Sequence, residues 1–131
     1  MAIPEAEPPF CRLYIDTTEA REAVQRLLDR LLRPGPAGPR VLVSVSRNDG
    51  YEPGRARDAA YDPIAASAWT AELDTELPPS GDHEAFRAWV VAVIGQVRAG
   101  GMIVTASCDF EDRVAAETGW NWSTSTPEPP R

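Results

Sequence analysis

Thirteen prolines punctuate this 131-residue chain and divide it into proline-free stretches. Proline has no amide donor and interrupts both helices and sheet ladders. Regular structure therefore belongs in the proline-free stretches, and each element in them carries a clear period.

Phe10 to Asp16 alternates, with Cys11, Leu13 and Ile15 on one face and Arg12, Tyr14 and Asp16 on the other. This is the pattern of a half-buried strand. The next window repeats apolar residues at helical spacing through Ala20, Ala23, Val24, Leu27, Leu28, Leu31 and Leu32. A helix over about 18–33, capped by Thr17 or Thr18, is expected there. Val41, Val43 and Val45 mark a second strand against Ser44 and Ser46, and Asn48-Asp49-Gly50 is a turn signal. Residues 49–66 show no period and hold two Pro and two Gly, which predicts a long loop. Trp69, Ala71 and Leu73 alternate with Thr70, Glu72 and Asp74 as a third strand. Asp82 is the expected cap of a helix over about 82–99, striped by Phe86, Trp89, Val90, Val93, Ile94 and Val97. Met102 to Phe110 is a fourth strand, and Glu111 to Thr118 a short helical turn. The expected core is Leu27, Leu28, Leu31, Trp69, Phe86, Trp89, Val90, Val93, Val104 and Ala106.

The order strand, helix, strand, strand, helix, strand predicts an α+β fold, the ferredoxin-like βαββαβ plait: a four-stranded antiparallel sheet with two helices on one face. Its expected strand order is fourth, first, third, second, with only the central first–third pair taken as parallel. Residues 1–122 form one domain in this reading, and 123–131 a disordered, Pro-rich tail. With the first and third strands running together, the end of the fourth strand would meet the 49–66 loop. Asp109, Glu111, Asp112, Trp120, Trp122 and that loop would then share one rim.

The net charge of −7 argues against a phosphate-backbone binder and an anionic membrane surface. No apolar run approaches the ~20 residues of a membrane span, and Met1 to Pro9 lacks the basic start of a signal peptide. A cytoplasmic protein is expected. The open sheet face would carry Tyr14 as its one aromatic beside Glu72 and Asp74, a poor platform for RNA. His83 is the only histidine and is given no role. Cys11 and Cys108 fall on the helix-covered face of neighbouring strands, and both are expected to be small buried hydrophobes. Neither a metal site, a cofactor nor a catalytic residue is expected.

Asp109, Glu111 and Asp112 could favour a helix start, clamp the cations of a partner, or act as an acid/base pair. The loop adds Tyr51, Arg55, Arg57 and Tyr61, residue types favoured as interface anchors. With Glu72 and Asp74, these are the candidate partner-binding residues. The segments VSVSRNDGYEP, TAELDTE and above all IVTASCDFEDRV resemble a group of small actinobacterial proteins of unknown function. The resemblance spans the second to fourth strands and departs at Arg113-Val114 and in the tail. Many such small acidic proteins resemble the immunity partners of polymorphic toxins. The expectation is thus a non-enzymatic protein-binding domain, monomer or weak homodimer, that meets a basic partner such as a toxin through an acidic rim. The alternative is a small-ligand binder or enzyme using the Asp109–Asp112 carboxylates.

Overall fold

A computed structural model describes residues 10–33, 41–54, 60–75, 83–126 and 129. The elements are β1 (Phe10–Asp16), α1 (Arg21–Leu31), β2 (Val41–Arg47), α2 (Pro63–Ala66), β3 (Trp69–Thr75), α3 (His83–Ala99), β4 (Ile103–Cys108) and α4 (Glu111–Thr118). The four strands form one open antiparallel sheet in the order β2-β3-β1-β4, an α+β architecture.

The alternation places each strand as expected. Cys11, Leu13, Ile15, Ala71, Leu73, Val104 and Ala106 are buried on one face. They share a single apolar cluster with Val24 and Leu28 of α1, with Phe86, Val90, Val93, Ile94 and Val97 of α3, and with Val114 of α4. Leu27, Leu31, Trp69 and Trp89, expected inside, pack at the margin of this cluster and are only partly buried. The start of α1 also differs from expectation. Its N-cap is Ala20, with no side-chain cap, because the Thr17 hydroxyl is used earlier and accepts from the Glu19 amide at 3.2 Å. The expected cap of α3, Asp82, lies outside the described residues.

One directional expectation is corrected. β1 and β3 are antiparallel, with Phe10 opposite Asp74 and Ile15 opposite Trp69. β3 is also antiparallel to β2, so β1 and β2 run the same way. A helical crossover returns the chain parallel to its first strand, and a strand inserted between the two must oppose both. The starts of β1 and β2 therefore lie with the ends of β3 and β4. The 49–66 connection leaves from the opposite end of the sheet, yet its return brings part of the expected rim together: Tyr61 meets Trp120 and Trp122, and Asp62, Pro63 and Ile64 share a cavity with Glu111.

The 49–66 segment is also not wholly irregular, since it contains the one-turn helix α2. Asp62 caps it by accepting from the Ile64 amide, and Pro63 occupies its first turn, where a missing N–H costs nothing. Pro63 and Ala65 are buried, yet neither belongs to the main core cluster. Pro63 lies instead with Tyr14 and Thr105 on the second face of the sheet.

Both sheet edges are closed by a side-chain amide that imitates a neighbouring strand. On β2, Gln25 donates to the Val43 carbonyl (3.3 Å) and accepts from the Val45 amide (3.0 Å). On β4, Asn121 accepts from the Ala106 amide (2.9 Å) and donates to the Ala106 carbonyl (3.1 Å). Unpaired edges invite further strands, and these two amides occupy them.

Candidate functional site

The Asp109–Asp112 stretch does not converge on one point. Glu111 accepts the Cys108 amide at 3.2 Å, across the corner where β4 passes into α4. Glu111 and Asp112 occupy the first turn of α4, where carboxylates complement the helix dipole. Asp109 points outward, 70% exposed, with Arg87 3.9 Å away. Arg113 meanwhile pairs with Glu84 and Glu117. The helix-start role thus accounts for Glu111 and Asp112, and Asp109 stands at an open rim rather than in a concavity.

The described end of the far connection, residues 60–66, folds over the second face instead of standing off it. Asn48 staples it: its amide nitrogen donates to the Ile64 and Ser67 carbonyls (2.6 and 2.8 Å), and its oxygen accepts from Gly50 (3.1 Å). A Cβ at Gly50 would come within 2.5 Å of the Ile64 side chain, which would have to move to admit it. Tyr61 donates to Asp16 at 3.3 Å and meets the Trp120 ring edge-on at 6.3 Å. Its carbonyl accepts from the Trp122 indole at 3.1 Å. Burial raises the Asp16 carboxyl above its ordinary value, and the Tyr61 hydroxyl partly offsets this. Burial also raises the Tyr61 phenol, helped by the neighbouring Asp16 charge. Tyr51 is half-buried, and its amide closes a turn onto the Asn48 carbonyl. Arg55 and Arg57 lie outside the described residues.

Two concavities result on the second face, with Tyr14 as their shared wall. The smaller, about 190 Å³, lies between α2, Trp122 and the β1–β4 strands, with Thr105 and Glu111 among its lining residues. The Thr105 hydroxyl is buried and has no hydrogen-bond partner among the described residues. The larger, about 280 Å³, is polar and includes Arg12, Arg47, Asp49 and Glu72. Arg12 pairs with Glu72 at 2.7 Å across the strands. Among the described residues, no group of three or more His, Cys, Asp or Glu could hold a metal ion.

Several organising residues were not evident as such from the sequence. Arg98, in the last turn of α3, reaches the carbonyls of Val104 (2.7 Å) and Trp120 (2.6 Å) and the Thr118 hydroxyl (2.5 Å). Its guanidinium lies 5.0 Å from the Trp120 ring centre, and burial lowers its pKa to about 10. α4 stops at Gly119, whose φ of 88° suits glycine and turns the chain back along β4. Trp120 is buried and Trp122 half-buried. Residues 123–126, expected in the tail, form a turn in which the Thr126 carbonyl accepts the Trp120 indole N–H at 3.2 Å.

No family model, curated protein or solved structure matches the chain. Among the described residues, no helix is long and apolar enough to cross a membrane.

Proposed function

We propose that the chain is a non-enzymatic binding domain of the ferredoxin-like type that receives a basic segment of a protein partner on the bare half of its sheet. The strand order supports the fold part of this reading: from the β4 edge it runs fourth, first, third, second. One row of side chains carries the binding part. Phe10 lies opposite Asp74, and Asp74 opposite Leu42. All three are exposed, Phe10 at 38% and Leu42 at 44%, and they alternate onto the face that α1 and α3 do not cover. An apolar, acidic, apolar row suits an Arg or Lys flanked by aliphatic residues. The net charge of −7 would speed the approach of such a partner. A basic toxin in the cytoplasm would be one partner of this chemistry, and the domain would then act as its immunity protein.

The test is titration of the 15N-labelled chain with an extended Arg-Leu peptide, with a Glu-Leu peptide as control. Shifts at Phe10, Leu42 and Asp74 with the basic peptide only are expected. The pair Phe10→Ser and Leu42→Ser should weaken binding by about tenfold or more. Shifts centred on Asp109 and Asp112 would return the binding surface to the rim, and no shift at either place would remove the protein-binding reading. Sedimentation of the free chain separates sheet-to-sheet self-association from capture of the peptide. A small-ligand reading is favoured by a different observation, the unpartnered Thr105 hydroxyl beside the Glu111 cleft. Shifts at Tyr14, Thr105 and Trp122 with small organic amines, and none with the peptide, would select it.

A further inference from the structure

We propose that Cys11 and Cys108 form a reversible oxidation site, in which Cys108 reacts with a hydroperoxide and Cys11 closes an intrachain disulfide onto it. Cys11 lies directly opposite Cys108 in the β1–β4 ladder, and both are free thiols. The edge contacts identify the kind of pair. In an antiparallel ladder, opposed residues alternate between hydrogen-bonded pairs and pairs whose backbone groups point outward. The amide and carbonyl of Ala106 both go outward to Asn121, and the Cys108 amide goes outward to Glu111. Leu13–Ala106 and Cys11–Cys108 are therefore both non-hydrogen-bonded pairs. Such pairs bring the Cα atoms to about 4.5 Å with the side chains close, within the range a disulfide spans at about 4.4–6.8 Å. Little backbone movement is needed to join them.

The two thiols are not equivalent. Cys11 is wholly buried, whereas Cys108 is half-exposed on the edge strand. The adjacent Cys11 thiol lowers the Cys108 pKa, aided by the Phe110 amide and opposed by burial and by the Glu111 and Asp109 charges. That contact with Cys108, together with burial, raises Cys11. The exposed member is thus the one that ionises first and the one a peroxide can reach.

The chemistry balances in two steps. The Cys108 thiolate attacks one peroxide oxygen, the O–O bond breaks, and the departing hydroxide takes up a proton as water. This leaves a sulfenic acid on Cys108. The Cys11 sulfur then attacks the Cys108 sulfur, the S–O bond breaks, and the hydroxide leaves as water with the Cys11 proton. Overall, two thiols and one hydroperoxide molecule (hydrogen peroxide in the test below) give one disulfide and two waters, with two electrons passing from sulfur to peroxide.

The experiment treats the reduced full chain with hydrogen peroxide and reads intact mass, free thiols and a digest. The expected result is a loss of two hydrogens per chain, simultaneous loss of both alkylatable thiols, and a Cys11–Cys108 linked peptide that dithiothreitol releases. The oxidised chain should melt at a higher temperature than the reduced one, because the bond ties residues far apart in sequence. In Cys11→Ala, Cys108 should accumulate a sulfenic acid that dimedone traps. In folded Cys108→Ser, Cys11 should lose its thiol at least about tenfold more slowly than Cys108 does in the wild type. Should either variant fail to fold, the wild-type digest decides alone. Oxygen addition without a linked peptide, a disulfide-bonded dimer through Cys108, or two thiols that survive peroxide would each overturn the proposal.

Discussion

Along β1, Cys11, Leu13 and Ile15 are sealed beneath the helices, while Arg12, Tyr14 and Asp16, each one residue away, remain half-exposed. The covered face is one continuous apolar cluster. The second face is divided. α2 and Trp122 roof it around Tyr14 and Thr105, and the remainder, from Phe10 at the start of β1 across β3 to β2, presents Phe10, Leu42, Ser44, Ser46 and Asp74 to water. Stability and recognition are thereby separated onto alternate residues of the same strands, so the bare half can change its side chains with little effect on the core.

The largest expected effect tests that separation directly. Leu28→Ala removes a fully buried side chain beneath the sheet and should cost about 2–5 kcal/mol. Leu42→Ser on the bare half should stay within about 0.5 kcal/mol. Urea melts of both variants measure the contrast. Equal losses would show that the second face is structural after all.

The edges give the next contrast. Asn121→Ala leaves the buried amide and carbonyl of Ala106 without partners and should cost about 1–3 kcal/mol. Gln25→Ala uncovers β2 groups beside a half-buried side chain, where water can replace it, and should cost less than about 1 kcal/mol. Hydrogen exchange at Ala106 and Val45 follows each edge separately. A larger loss at Gln25 would reverse the ranking.

These edges also show where sequence reading ends. Alternation reports which residues share a face, so the burial of Leu13 or Leu73 was legible from a window of seven residues. It carries no direction, because a strand reads the same up or down. Direction comes from the connections instead: the helical crossover from β1 to β2 forces the inserted β3 to oppose both, so β1 and β3 are antiparallel and the rim assembles only in part, through Trp120, Trp122 and Glu111. Asn121 and Gln25 look like ordinary polar residues, since their role exists only once a strand edge lies beside them. The 49–66 segment has no period because distant contacts hold it: Asn48 to Ile64 and Ser67, and Tyr61 to Asp16 and Trp122. Of the candidate partner-binding residues, Glu72 and Asp74 lie on the sheet face as alternation implied. Glu111 and Tyr61 are already engaged within the fold.

A smaller effect of opposite sign is expected at the floor of the roofed half. The Thr105 hydroxyl is buried without a partner, and a methyl group has nearly its shape. Thr105→Val should therefore raise stability by about 1 kcal/mol, read from the urea midpoint. Ser107→Val, exposed on the same strand, should leave that midpoint nearly unchanged. A loss at Thr105 would mean that the hydroxyl is satisfied and that the roofed half is packed as tightly as the covered face.

The smallest effect is a pH dependence confined to the second face. Burial raises the Asp16 pKa above its unfolded value, while the Tyr61 hydroxyl pulls it back down. The folded chain thus holds the Asp16 proton more tightly than the unfolded chain does. The resulting stabilisation is fully present below the unfolded pKa of about 3.9 and is lost as pH rises through the folded value. Asp16→Asn has no proton to lose. Its stability relative to the wild type should therefore grow as pH rises from about 3 to about 7. Tyr61→Phe removes the hydroxyl that favours the ionised form, so the wild-type loss should widen in that variant. Urea midpoints of the three chains across this window measure both slopes. Water reaches Asp16, so the slopes should be shallow. Parallel curves for wild type and Asp16→Asn would show that the roof of α2 and Tyr61 leaves this carboxylate as well hydrated as those on the bare half.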